Sequence, residues 1–92
     1  MTDKVYETLD ALAATRAEKQ HLTITLRTLY DYAIGEIDYQ HLGGFAKAVV
    51  RNDLVSATAR ADKTNYKFIK TIASFAHFEI PASKRNRNAF RK

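Results

Sequence analysis

Apolar side chains recur at helical spacing through most of the chain, most clearly in its second quarter. From Leu26 to Ile37 they follow one another at intervals of three and four residues without a gap, which is the period of one helix face. This run predicts a helix over 25–34, and Gly35 can end it because glycine readily takes a left-handed conformation. Residues 22–26 alternate leucine or isoleucine with threonine, a pattern that is also compatible with a short strand.

A narrower apolar stripe marks the N-terminal part of the chain. The stripe consists of Val5, Leu9 and Leu12. It predicts a first helix that runs to about Lys19. Thr2 or Asp3 can cap this helix, because a short polar side chain accepts hydrogen bonds from the free amides of the first turn.

The segment 45–61 has a helical composition, but its apolar stripe changes direction around the helix axis. The simplest interpretation is two short helices that meet at Asn52 and Asp53. Either side chain can accept hydrogen bonds from the free amides of the second helix. The preceding segment, 36–44, is predicted to be a loop that ends in two glycines.

The last predicted helix begins at Asp62 or Thr64, either of which can cap it, and ends before Pro81. Its residues divide into two faces. The apolar face consists of Phe68, Ile69, Ile72, Phe75 and Ala76, and the polar face of Lys63, Lys67, Lys70, Ser74 and His77. Together the segments predict an all-α fold, with one domain of four to five short helices over 1–82 and a flexible basic tail over 83–92.

The net charge of the chain is concentrated at its C-terminus. The formal net charge is +5, and residues 1–83 hold equal numbers of basic and acidic side chains. The excess comes from Lys84, Arg85, Arg87, Arg91 and Lys92. A neutral domain with a cationic tail is typical of proteins that contact a polyanion, most often nucleic acid. A solubilising terminus has the same composition, so both interpretations stay open.

The lysine face of the last helix and the tail form the candidate partner-binding surface, because they follow one another along the chain. Three lysines over about two helical turns span ~10 Å, enough to meet successive phosphates. Phe90 lies between two arginines and can stack on an unpaired base or enter a protein pocket. The complete set is Lys63, Lys67, Lys70, His77, Lys84, Arg85, Arg87, Phe90, Arg91 and Lys92.

The sequence lacks the residue spacings that are typical of metal sites and of common catalytic motifs. The chain has no cysteine, and none of its three histidines has another histidine three or four residues away. No metal, cofactor or catalytic residue is therefore predicted. No apolar run approaches the ~20 residues that span a bilayer, and the charged N-terminus lacks the apolar stretch of a secretory signal. We therefore expect a non-enzymatic cytoplasmic protein without a small-molecule substrate.

A series of motifs resembles a family of small helical accessory proteins from phages and plasmids. The motifs are Gly43-Gly44-Phe45, Ala48-Val49-Val50, Asn52-Asp53-Leu54, Ala57, Arg60-Ala61-Asp62 and Asn65. Spacing and residue types both match the family pattern of GGF, AV, NDL, A, RAD and N, and the resemblance covers about residues 25–81. Two features depart from the family. The loop over 36–42 is longer, and the basic tail replaces a segment rich in Trp, Gly and Ser.

The resemblance implies that a mobile element carries the gene, but it implies no reaction, because most members of the family are uncharacterised accessory proteins of mobile elements. The matched residues, from Gly43 to Asp62, then look like an architectural frame, and no catalytic residue comes with them. A phage protein of this size without an active site is often an inhibitor of host machinery. In size, compactness and lack of catalytic residues the chain is similar to anti-CRISPR proteins.

Two functions remain as hypotheses. The first is a phage-encoded, non-enzymatic inhibitor of anti-CRISPR type that binds a host ribonucleoprotein complex and sterically blocks the path of guide RNA or target DNA. The second is a small DNA- or RNA-binding regulatory or architectural protein of a mobile element. Against the second, no helix pair resembles a helix-turn-helix with a recognition helix rich in Arg, Asn and Gln.

Overall fold

The structure, a computed structural model, describes residues 3–81, and over that range it contains helices and no strand. The elements are α1 (Asp3–Asp10), α2 (Arg16–Ala33), a 3-10 helix (Tyr39–His41), α3 (Gly44–Val50), α4 (Leu54–Arg60), α5 (Lys63–Lys67) and α6 (Ile69–Glu79). The predicted all-α class is confirmed. The described range has six α-helices, because the last predicted helix is divided. The predicted tail, 83–92, lies outside the described residues.

α2 is the central helix, and it contacts α1, α3, α5 and α6. The core combines its buried face with apolar residues of its neighbours. These core residues are Leu22, Leu26, Leu29 and Tyr32 of α2, Val5 and Leu9 of α1, Val50 of α3, and Ile72, Phe75 and Ala76 of α6. Leu12, Phe45 and Phe68 are partly buried at the edge of this cluster. The apolar stripes predicted for the first and last helices therefore do form the core, as the burial of apolar surface requires.

The first helix is shorter than predicted, and its continuation to Lys19 is wrong. α1 ends at Asp10, and a new helix begins after Thr15 with a reciprocal cap. The Thr15 hydroxyl accepts a hydrogen bond from the Glu18 amide at 3.1 Å, and the Glu18 carboxylate accepts one from the Thr15 amide at 2.9 Å. This capping box satisfies two otherwise free amides at the start of α2. The Thr-x-x-Glu spacing that signals it is present in the sequence.

The strand interpretation of residues 22–26 is also wrong, because the segment lies within α2. The hydroxyls of its threonines do not compete with the helix. Thr23 donates to the Lys19 carbonyl four residues earlier at 2.8 Å, a bond that keeps a β-branched polar residue inside a helix. α2 ends as predicted near Gly35, which has a positive φ of 89°. The Glu36 amide then donates to the Asp31 carbonyl at 2.8 Å, as in a Schellman motif.

Asn52 and Asp53 separate two short helices, as predicted, and each residue serves a different helix. Asn52 has a positive φ of 61° and ends α3. Beyond it, the Asp53 amide donates to the Ala48 carbonyl at 2.9 Å, which again closes a Schellman motif. The Asp53 carboxylate accepts from the Ser56 amide at 3.1 Å and so caps α4. One dipeptide thus ends a helix and begins the next without a linker.

Replacing Asn52 by alanine is expected to lower the free energy of unfolding by about 1 kcal/mol, because a left-handed backbone is costly for a residue with a Cβ. Asn52→Gly is the matched control and should be as stable as the parent or more so, since glycine has no such cost. A change of about 1 kcal/mol shifts the melting temperature of a domain this size by about 4–8 °C. Equal melting temperatures for the two variants would contradict this role of Asn52.

The last predicted helix is divided at Phe68, so its prediction as one continuous helix is wrong. Asp62 caps α5 by accepting from the Asn65 amide at 2.8 Å. At Phe68 the backbone turns to φ −111° and ψ 25°, and α6 begins at the next residue. The Phe68 side chain lies against the core at this break. α6 ends at Glu79, before Pro81, as predicted.

Candidate binding surface on the last two helices

The predicted site residues of the last helix are exposed in the structure. Lys63 and Lys67 lie on α5, and Lys70 and His77 lie on α6. The remaining predicted site residues, Lys84, Arg85, Arg87, Phe90, Arg91 and Lys92, lie outside the described residues. The exposed side of α5 and α6 is called the α5–α6 surface below.

Lys67 is engaged within the protein itself. Its Nζ lies 2.8 Å from Oε2 of Glu18, which belongs to the capping box of α2, and 5.3 Å from the ring centre of Phe68. The hydrogen bond from Lys67, followed by the Thr15 amide, lowers the pKa of the Glu18 carboxyl. The positive charge of Lys67 is thus partly offset, and the residue joins α5 to α2 rather than standing free for a phosphate.

Two further polar contacts join the same helices. His21 Nε2 lies 2.8 Å from Asp62 Oδ2, and the Thr25 hydroxyl donates to the buried Asn65 at 2.8 Å. The three α2 residues that make these contacts are Glu18, His21 and Thr25. They are spaced by three and four residues, so they lie on one side of that helix. α5, only five residues long, is therefore held to α2 by polar contacts at three positions. These pairings are not visible in the sequence, because their members are 40 to 49 residues apart.

Acid is expected to weaken these contacts. The Asn65 amide, and after it His21, hold the pKa of Asp62 below its ordinary value of 3.8, and the pKa of Glu18 lies below 4.5. Because both values are lowered on folding, the stability that they contribute is present above about pH 5 and is lost as the pH falls through the folded-state values. The melting temperature of the parent should therefore fall more steeply between about pH 6 and pH 3 than that of Glu18→Gln/Asp62→Asn. Parallel curves for the two proteins would contradict this assignment.

Lys63 and Lys70 differ from Lys67. Both are exposed, and no carboxylate lies within ion-pair distance of either in the described part of the chain. Lys70 stands at the edge of an open groove of about 460 Å³ between α1 and α6. Phe78, whose side chain is 78% exposed, stands at the same groove. The α5–α6 surface thus combines cations that have no acidic partner with exposed aromatic surface.

His77 lies on the other side of α6. It lines a smaller depression that α6 forms with α3 and α4, and its ring meets that of Phe78 edge to face, with 4.9 Å between ring centres. The exposed edge of α6 therefore runs between two depressions. One of them opens beside Lys70 and the other beside His77. The polar face predicted from the helix period is thus divided among different surroundings.

Tyr66 is a feature of this surface that the sequence reasoning missed. It lies on α5 between Lys63 and Lys67, and its side chain is 58% exposed. A tyrosine in an amphipathic helix is ordinarily expected at the edge of the core. Its exposure follows from the way α5 docks on α2, with Asn65 turned inward beside it.

Within residues 3–81 no group of three or more His, Asp or Glu side chains is placed to hold a metal ion, and no helix is both long and apolar enough to cross a membrane. Comparison of the chain with protein-family models, with curated proteins and with solved structures gave no match.

Proposed function

We propose that this chain is a non-enzymatic inhibitor, encoded by a mobile genetic element, that binds a host ribonucleoprotein complex in the manner of anti-CRISPR proteins. The observation that carries the proposal is the α5–α6 surface. Within residues 3–81, Lys63 and Lys70 are exposed there without carboxylate partners, and Phe78 is exposed at the groove beside Lys70. The same chain segment leads directly into the tail, which holds the whole net charge of +5.

The combination of exposed lysines and exposed apolar side chains favours a partner that presents both phosphates and protein surface. Exposed lysines suit phosphates, whereas exposed apolar side chains, such as Phe78 of α6 and Leu54 of the neighbouring α4, gain most from burial against protein. A ribonucleoprotein presents both kinds of surface side by side. A nucleic acid alone would leave the apolar side chains of α4 and α6 uncovered.

The mechanism would be steric. With its lysines and tail against a phosphate path, the helical body would occupy space that guide RNA or target DNA needs. Such a mechanism requires a stable interface and no reactive group. It also predicts salt sensitivity, since each displaced phosphate counterion contributes about −0.7 to −0.9 to the slope of log K against log salt.

The test is capture of the complex followed by inhibition. The tagged full chain is used to recover complexes from host lysate with and without nuclease, and the recovered protein and RNA are identified. The chain is then added to the purified complex, and binding of target DNA is measured. We expect recovery that survives nuclease and a loss of target binding of at least about tenfold.

A matched pair of charge reversals assigns this activity to the surface. Lys63→Glu/Lys70→Glu should lower the affinity for the complex at least about tenfold and flatten its salt dependence, because two phosphate contacts are lost. Lys4→Glu/Arg16→Glu is the control, with the same change in net charge on exposed residues of α1 and α2. Equal inhibition by both variants would remove the α5–α6 surface from the proposal. Recovery that is lost with nuclease, together with sub-micromolar binding to free nucleic acid, would favour the DNA- or RNA-binding regulator instead.

A further inference from the structure

Among residues 3–81, Tyr66 differs from the other exposed tyrosine and phenylalanine residues in its surroundings. Tyr6 is exposed to a similar extent, but Arg27 lies over its ring at 5.9 Å and contacts its hydroxyl at 3.4 Å. The ring of Phe78 meets that of His77. Within residues 3–81, the side chain of Tyr66 makes neither a hydrogen bond nor a ring contact, and the residue is 58% exposed. Both the face of its ring and its hydroxyl are therefore available to a ligand.

Two lysines that have no carboxylate within ion-pair distance among residues 3–81 precede and follow Tyr66 along the chain. Lys63 lies three residues before Tyr66, one turn away on the same side of α5. Lys70 lies four residues after it, and even a fully extended backbone would keep these two residues within about 14 Å. Lys67, which is adjacent in sequence, is directed to Glu18, so its charge is paired within the protein. An exposed aromatic ring thus lies, along the chain, between two exposed lysines.

We infer that the nucleic acid met by the α5–α6 surface is single-stranded, with a base stacked on Tyr66 and neighbouring phosphates on Lys63 and Lys70. The inference rests on the proposed function and names the part of the partner that this surface meets. In a duplex the faces of the bases are covered by their neighbours, so an aromatic side chain gains a stacking partner only from an unpaired base. Lysines alone would bind the phosphates of a duplex equally well. The exposed ring of Tyr66 is the feature that favours a single strand over a duplex.

The experiment measures selectivity on the isolated full chain. Fluorescence anisotropy compares a labelled single strand of about 15 nucleotides with its duplex at the same low salt concentration. The affinities for the single strand and for the duplex are both expected to be weak, because this contact is one part of the proposed interface. The quantity that tests the inference is therefore the ratio of the two affinities. We expect the single strand to bind at least about tenfold more tightly than the duplex.

Three tyrosine variants test the role of the ring. Tyr66→Ala should weaken single-strand binding about 5- to 150-fold, the range for loss of one stacked base, with little change in the salt slope. Tyr66→Phe should stay within about twofold of the parent, because it keeps the aromatic face. Tyr6→Ala is the control for loss of an exposed tyrosine elsewhere. All three should retain their melting temperatures within a few degrees, since the side chains are exposed.

Duplex binding as tight as single-strand binding would overturn the inference, and so would Tyr66→Ala binding like the parent. These results are separate from the test of the proposed function. If a nuclease-resistant complex is captured and inhibited but the oligonucleotides show no selectivity, the inference is wrong and the inhibitor stands. If selectivity depends on Tyr66 but no complex is captured, the inference is correct and the inhibitor is wrong.

Discussion

Replacing Phe75 by alanine is expected to lower the free energy of unfolding by about 3–5 kcal/mol. The Phe75 side chain is only 5% exposed, and it belongs to the core cluster that α6 forms with α2. The substitution removes a full aromatic ring and leaves a cavity that surrounding helices can only partly fill. Since small domains have a total stability of about 5–15 kcal/mol, the variant should be close to unfolded at room temperature.

The measurement is urea denaturation followed by circular dichroism. Phe78→Ala is the matched control, since it removes the same ring from the same helix three residues later, where the side chain is 78% exposed. It should change stability by less than about 0.5 kcal/mol. Phe45→Ala should fall between the two, because Phe45 is only partly buried against the core. Similar midpoints for Phe75→Ala and Phe78→Ala would show that α6 is turned differently on α2.

Replacing Leu26 by alanine should cost about 2–5 kcal/mol, because this side chain is fully buried in the central helix. Ile24→Ala, two residues away, should cost less than about 0.5 kcal/mol, since Ile24 is 69% exposed. In a strand these two residues would point to the same side, because side chains alternate between faces with a period of two. A large difference in the free energy of unfolding between Leu26→Ala and Ile24→Ala is therefore expected only if the segment is a helix.

Thermal unfolding of the two variants checks this prediction. At about 4–8 °C for each kcal/mol in a domain of this size, the melting temperatures should differ by at least about 6 °C. A third variant, Leu22→Ala, should resemble Leu26→Ala, since the two leucines are one helical turn apart and both are buried. If Ile24→Ala proved as damaging as the leucine variants, the strand-like pattern of residues 22–26 would describe this segment better.

The apolar stripes in the sequence correctly predicted which helix faces are buried in the core. The end of α2 at Gly35 and the junction at Asn52 and Asp53 were also predictable, because both depend on the conformational preferences of single residues. The start of α2 was missed although its signal, the Thr15–Glu18 capping box, is local, because the first helix was predicted to continue to Lys19. The division at Phe68 has no such local signal. It accompanies the docking of that side chain on the core, which is a property of the assembled fold.

For the candidate surface, the sequence predicted exposure but not partners. Helical period alone places Lys63, Lys67 and Lys70 on the side away from the core, and all three are exposed. The period cannot show that Lys67 pairs with Glu18, because the two residues are 49 positions apart. It also cannot separate Tyr66 from the core aromatics, since tyrosine is compatible with either position.

The direct junction between α3 and α4 has a consequence for the order in which the chain assembles. Its hydrogen bonds join residues three to five positions apart, so little chain entropy is lost when they close. The contacts between α2 and α5 instead close loops of 40 to 49 residues. Because local contacts form faster than distant ones, we expect the α3–α4 pair to form early in folding. The three positions that hold α5 to α2 would then close later, so the α5–α6 surface is completed after the α3–α4 pair.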